Sequence, residues 1–142
     1  MGNFKFLKIA FLGLLIFSVS NAQALQKNPQ ILRCHALNGE FFVANTESDQ
    51  FGFCSFGEAI IGTIDLLRYA DNVNDVLSIE AYINNVKDCE PFGQLIDVKK
   101  PNGPTLVMCS FTDGSLIENQ TLSLGQTSEK NKKLNQALGL NR

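Results

Sequence analysis

Apolar and polar positions from residue 28 to residue 126 fall into two runs with the same grammar. In the first, "NPQILRCHALNG" predicts a short helix: Asn28 suits its cap, Pro29 its first turn and Gly39 its end. That helix carries Cys34. "EFFVA" then predicts a strand, "NTESDQ" a polar turn, "FGFCSF" a second strand carrying Cys54, and "TIDLLRY" a third. In the second run, Ile79, Tyr82, Ile83 and Val86 recur at i, i+3, i+4 and i+7, one face of a helix. Leu77, Ile79, Ala81 and Ile83 also alternate as a strand would, but Ser78 as a cap and Glu80 in the first turn favour the helix. This helix is expected to end at Cys89, with Pro91 behind it. "QLIDV", "TLVMCSF" (with Cys109) and "SLIENQTL" predict three further strands, separated by the turns "KKPNGP" and "TDG".

An offset of 55 positions superposes Cys34 on Cys89, Val43 on Val98, Cys54-Ser55-Phe56 on Cys109-Ser110-Phe111, and Leu67 on Leu122. The expected fold is therefore α+β: two tandem units, each a helix followed by a three-stranded antiparallel meander and each holding one disulfide. The units occupy residues 23–72 and 73–126. Residues 127–142 form a C-terminal helix capped by Thr127 or Ser128, with Leu134, Ala137 and Leu138 as its apolar stripe and Gly139 at its end.

The N-terminus changes the picture of compartment. Lys5 and Lys8 precede an apolar run from Ile9 to Val19, with small residues at Ser20 and Ala22. That is the layout of a signal peptide over residues 1–22, with cleavage after Ala22 or, alternatively, after Ala24. The run is well short of the roughly 20 residues that span a bilayer, so no transmembrane anchor is expected after cleavage. Export agrees with four cysteines in the remaining chain, an even number for an oxidising compartment. Four cysteines allow three pairings. The equal 20-residue spacings favour Cys34–Cys54 and Cys89–Cys109, each closing a loop worth about 3 kcal/mol in the chain-entropy model. Without residues 1–22 the chain keeps ten basic and fourteen acidic residues, a net charge of −4. This balance argues against nucleic acid, which selects clustered Lys and Arg. Lys130, Lys132 and Lys133 form the one dense basic patch and read as a solvated helix face.

The order Asn28-Pro29, Cys34, Gly39, Gly52, Cys54 resembles a family of small exported bacterial domains of unknown function that carries a hemolysin label. In the second run Cys89, Gly93, Cys109, Phe111, Asp113, Gly114, Ser115 and Glu118 follow the same order. The Asn-Pro start is lost there, and the first run lacks the Asp-Gly turn. The resemblance implies an exported (periplasmic or secreted) bacterial protein, here as two degenerate copies. It also supports the same cysteine pairing. The hemolysin label carries little mechanism.

No catalytic constellation emerges. His35, the only histidine, neighbours Cys34, yet adjacent helical residues point apart and Cys34 is expected in a disulfide. Asp113-Gly114 suits a hairpin turn better than a carboxylate pair with Glu118. "DNVND" (71–75) lacks the Gly and distal Glu of a calcium loop. With no Cys-x-x-Cys and one histidine, neither a metal site nor a cofactor is expected. Asn119-Gln120-Thr121 is a glycosylation sequon, idle in a bacterial source. Three function classes follow, in descending order. The first is a binding module for a protein or cell-envelope partner, using the polar loop tips with Asn45, Glu47, Asp49, Lys99, Lys100 and Asn102. The second is a protease inhibitor presenting Lys99 or Lys100. The third is a small hydrolase-like enzyme, which has no supporting constellation.

Overall fold

The computed structural model describes residues 28–72 and 75–140. The expected signal peptide lies outside the described residues, as do Val73 and Asn74 of "DNVND". Chain order is α1 (Pro29–Ala36), β1 (Glu40–Asn45), β2 (Gln50–Phe56), β3 (Ala59–Gly62), α2 (Thr63–Ala70), α3 (Leu77–Ile83), β4 (Gln94–Lys99), β5 (Thr105–Ser110), β6 (Leu116–Glu118) and α4 (Asn119–Leu124). A 3₁₀ turn (Glu129–Asn131) leads into α5 (Lys132–Ala137).

The strands close into one antiparallel barrel in the order β1-β2-β3-β6-β5-β4. This overturns the expectation of two tandem helix-plus-meander units. The outer strands of each run do not end as free edges: β3 meets β6 at Ile61↔Ile117, and β1 meets β4 at Asn45↔Lys99. Joining the runs at both seams removes edges that two separate meanders would leave open. Alternation along the strands sorts the apolar residues onto two faces. Ala44, Phe53, Val98, Met108 and Leu116 fill the barrel, with Phe42, Phe51, Ile60, Ile96 and Leu106 partly buried beside them. Phe56, Ile61, Cys109, Phe111 and Ile117 face outward into a larger core built with the helices, to which Leu66, Ile79, Tyr82, Leu122 and Leu134 contribute. That core draws on residues from both runs.

Three element boundaries differ from the sequence expectation. "TIDLLRY" is helix α2 rather than a third strand, and the third strand is the preceding "AIIG". Thr63 and Leu66 are three positions apart and both buried, and Asp65 lies inside the first turn, so the helical period wins over the alternating one. "SLIENQTL" divides likewise into the three-residue β6 and helix α4. The helix expected to run to Cys89 stops at Ile83: Asn85 adopts φ +61°, and the Val86 amide donates to the Ala81 carbonyl across the helix end. Cys89 therefore sits in irregular chain. Ser78 does not cap that helix either; Val76 holds the cap position, and Ser78 is fully buried inside the first turn.

Other expectations hold. The Asn28 side chain accepts from the Gln30 amide at 2.9 Å with Pro29 behind it, and Ser128 accepts from Lys130 ahead of the final helix. Both disulfides form as spaced, Cys34–Cys54 and Cys89–Cys109, with Cα–Cα distances of 5.7 and 5.5 Å. A glycine lies against each bridge. A Cβ on Gly39 would run into Cys54 Sγ, and one on Gly93 would lie 2.7 Å from Cys109 Sγ. Among the described residues, no helix is long and apolar enough to cross a membrane.

Candidate functional site

The β1–β2 and β4–β5 loops belong to different runs, yet the Asn45↔Lys99 pairing brings them to one end of the barrel. There they line a groove of about 460 Å³ with Asn45, Thr46, Glu47, Asp97, Lys99, Lys100, Pro101, Asn102 and Thr105 on its walls. Each loop is held by its own backbone. The Thr46 amide donates to the Asp49 carbonyl at 2.9 Å, and the Asp49 amide donates to Thr46 Oγ1 at 3.0 Å. In the other loop the Gly103 amide donates to the Lys100 carbonyl at 3.0 Å, and Asn102 takes φ +54°, a conformation asparagine tolerates. Lys100 Nζ lies 4.2 Å above the centre of the Phe42 ring, a cation–π contact that fixes one charge at the mouth of the barrel.

Five of the six loop residues singled out from the sequence, Asn45, Glu47, Lys99, Lys100 and Asn102, line this groove. Asp49 does not; its backbone closes its own turn. Asp97 and Thr105 also line it and lay outside the loops chosen from the sequence. Their signal was strand alternation: in "QLIDVK" the positions of Leu95, Asp97 and Lys99 face outward, while Val98 is buried.

A second polar cluster is buried between α2, α3 and the β5–β6 turn. Asp65 has no solvent exposure, and its Oδ2 accepts from Ser78 Oγ and from the Leu116 amide, both at 2.8 Å. Its Oδ1 has no hydrogen-bond partner among the described residues. Burial pushes the Asp65 carboxyl up to about 7, against the opposing pull of those two donors. Asp113 accepts from the Leu77 amide at 2.9 Å and from Ser115 Oγ at 2.6 Å, while Ser115 Oγ accepts from the Ser78 amide at 2.9 Å. Partial burial alone would raise Asp113. The Ser115 hydroxyl, the Leu77 and Ser115 amides and the Arg68 guanidinium outweigh it and hold the carboxyl below its ordinary value. Together these groups satisfy two of the free amides at the start of α3, those of Leu77 and Ser78, where the helix has no side-chain cap of its own. The Ser78 and Ser115 hydroxyls are fully buried, so the cluster works as scaffold.

Glu118, raised by burial, accepts from Thr121 Oγ1 at 2.7 Å, and Thr121 Oγ1 in turn accepts from the Ile60 amide across the β3–β6 seam. It does not meet Asp113, which is occupied at the α3 start. His35 is exposed and Cys34 is buried in its disulfide, so the adjacent pair shares no site. Compared with protein-family models, with curated proteins and with solved structures, the chain matches none.

Proposed function

We propose that this protein is an exported, disulfide-stabilised binding module that engages a protein or cell-envelope partner through the groove at the barrel end, without catalysing a reaction. The observation that carries the reading is the convergence of two loops, about 50 residues apart in sequence, on one groove of mixed charge. The two disulfides fit an oxidising compartment, the layout of residues 1–22 supports export, and a bacterial source is what the resemblance of the cysteine and glycine order implies. Binding fits better than protease inhibition. An inhibitor projects its key side chain from a loop apex, whereas Lys99 lies in the β4 ladder opposite Thr105 and Lys100 is held over Phe42.

The test is site-specific photo-crosslinking of the oxidised protein in envelope and medium fractions. A crosslinker at Glu47 or Asn102 should give a discrete adduct that one at Ile64, exposed on α2, does not. Adducts of equal yield from all three positions, or none from the groove, would sink the reading.

A further inference from the structure

The core that the helices share with the outer face of the barrel reaches solvent beside α3. An open groove of about 360 Å³ lies there, walled by Leu77, Val86 and Phe92. Its floor is Ala81 and Phe111, two buried members of that core. The local sequence holds the walls in place. Asn85 ends α3 at φ +61°, so Val86 folds back and its amide donates to the Ala81 carbonyl at 2.9 Å. The Gly93 amide donates to the Cys89 carbonyl at 2.7 Å, closing the turn that presents Phe92. The Cys89–Cys109 bridge fastens that turn to β5. Phe92 is nevertheless 60% exposed, more than any other large apolar side chain among the described residues. An aromatic side chain held at the rim of a preformed apolar groove is the kind of group that anchors a partner.

The charge around this groove has one sign. Glu80 lines it, half-buried, and among the described residues Glu80 takes part in no ion pair. The segment from Asp75 to Phe92 carries four acidic residues and a single basic one, Lys87. Lys87 Nζ donates to the Leu124 carbonyl at 3.0 Å, and among the described residues no lysine or arginine lines the groove. Arg68, whose partner Asp113 holds the Leu77 amide, is likewise engaged. Complementary charge selects and steers a partner, while apolar burial supplies the affinity. We propose that the groove docks a segment of a partner protein in which a large apolar side chain is flanked by basic residues. The apolar group, Leu or Phe, packs against Phe92 and Phe111, and a neighbouring Lys or Arg meets Glu80. A protein segment fits better than a small molecule, because small ligands are largely enclosed by their sites. Here exposed Phe92 leaves one side open for the rest of a chain to cover. The groove shares no lining residue with the one at the barrel end, so it is a second surface and does not depend on the first.

Three capped synthetic peptides, titrated into the isotope-labelled oxidised protein, test this. They are Gly-Ser-Lys-Phe-Lys-Ser-Gly, the same peptide with both Lys changed to Glu, and the same peptide with Phe changed to Ala. The first should shift the amides of Leu77–Val86 and Gly93. It should bind about tenfold or more tightly than the Ala peptide, and about fivefold more tightly than the Glu peptide. Phe92→Ser, at an exposed position, should weaken the first peptide about tenfold while leaving amides away from the groove unshifted. Glu80→Lys should reverse the preference between the Lys and Glu peptides. No binding, equal binding of the three, shifts confined to other surfaces, or an unreversed preference in Glu80→Lys would overturn the proposal. Movement of the same amides with protein concentration alone would assign the groove to a second copy of this chain and overturn it too.

Discussion

The two halves of the barrel hold the same disulfide in the same place by different means upstream of it. In each, a glycine at the strand entry lies against the bridge, the bridge reaches the middle strand, and the third strand passes directly into a helix. In the first half Cys34 sits on α1, whose start is capped by its own neighbour Asn28. In the second half the helix has slid away from the cysteine. The left-handed asparagines that end α1 and α3, Asn38 and Asn85, are 47 positions apart, whereas the cysteines repeat at 55. Cys89 is left in irregular chain, and α3 is tied down by side chains of α2 and the β5–β6 turn. The lesson is that the repeated constraint is glycine, bridge and strand. What precedes the cysteine is free to change, provided something else satisfies its backbone.

The largest test of that contrast removes one bridge at a time. Each closes a loop of equal length, so Cys34→Ala/Cys54→Ala and Cys89→Ala/Cys109→Ala should each lose about 3 kcal/mol on chain-entropy grounds. The second variant should lose more, because Asn84–Gly93 has no helix to keep it ordered, while α1 keeps its cap. Guanidinium unfolding of both variants checks this, and a second-half variant no less stable than the first-half one would break the contrast. Next in size come the glycines. Gly39→Ala and Gly93→Ala force a methyl against bridge sulfur and should each cost about 1–3 kcal/mol. Gly93→Ala also meets the Ser110 carbonyl oxygen at 2.9 Å, a backbone atom that cannot turn aside. Of the two it should gain less from reduction of its own bridge, measured as the change in unfolding midpoint with and without reductant.

What the sequence made legible follows from which forces act locally. Cysteine spacing, the Asn28-Pro29 start and the Asp113-Gly114 turn are short-range signals, and each appears where it was read. Five of the six loop residues chosen from the sequence reach the groove because polar residues between strands stay in solvent. Barrel closure was not, since it depends on Ile61 meeting Ile117 and Asn45 meeting Lys99, contacts that no local pattern encodes. The same holds for α2. Its residues alternate as readily as they follow a helical period, and only the shared core on one side decides between them. Asp65 was invisible for a related reason: a carboxylate in an apolar run looks like a solvent-facing residue until α3 and β6 bury it.

Asp65 gives the third test, because it links the halves through one titratable group. The position 55 residues on is Gln120, which does not titrate. Folding raises the Asp65 carboxyl from 3.8 to about 7, so the folded state holds the proton more tightly than the unfolded one. Its stabilising contribution is complete below the unfolded value and is lost as pH rises through the folded value. Relative to Asp65→Asn, the natural protein should lose stability between pH 4 and 7 at up to about 1.4 kcal/mol per pH unit. Asp113 has the opposite sign: its contribution is present above its unfolded value and is lost as pH falls through its lowered folded one. Because Asp113 is unchanged in the comparison, the difference between urea midpoints at each pH isolates Asp65. A flat difference across that range would show that folding does not raise the Asp65 carboxyl.

The smallest expected effect is at Asn28. Its side chain satisfies one free amide at the start of α1 in an exposed, purely local contact, so Asn28→Ala should cost about 1 kcal/mol and Asn28→Ser much less. The loss should be independent of pH between 4 and 7, since the groups in contact do not titrate. It should also raise amide exchange in the first turn of α1 while leaving that of α3 unchanged. Ser78→Ala, by contrast, removes a donor to a buried carboxylate and should lower protection at Leu116 and across α3 together. If Asn28→Ala instead destabilised the protein as much as loss of the Cys34–Cys54 bridge, α1 would owe its place to the cap rather than to the disulfide. The first half would then depend on its upstream helix as strongly as the second depends on its buried cluster.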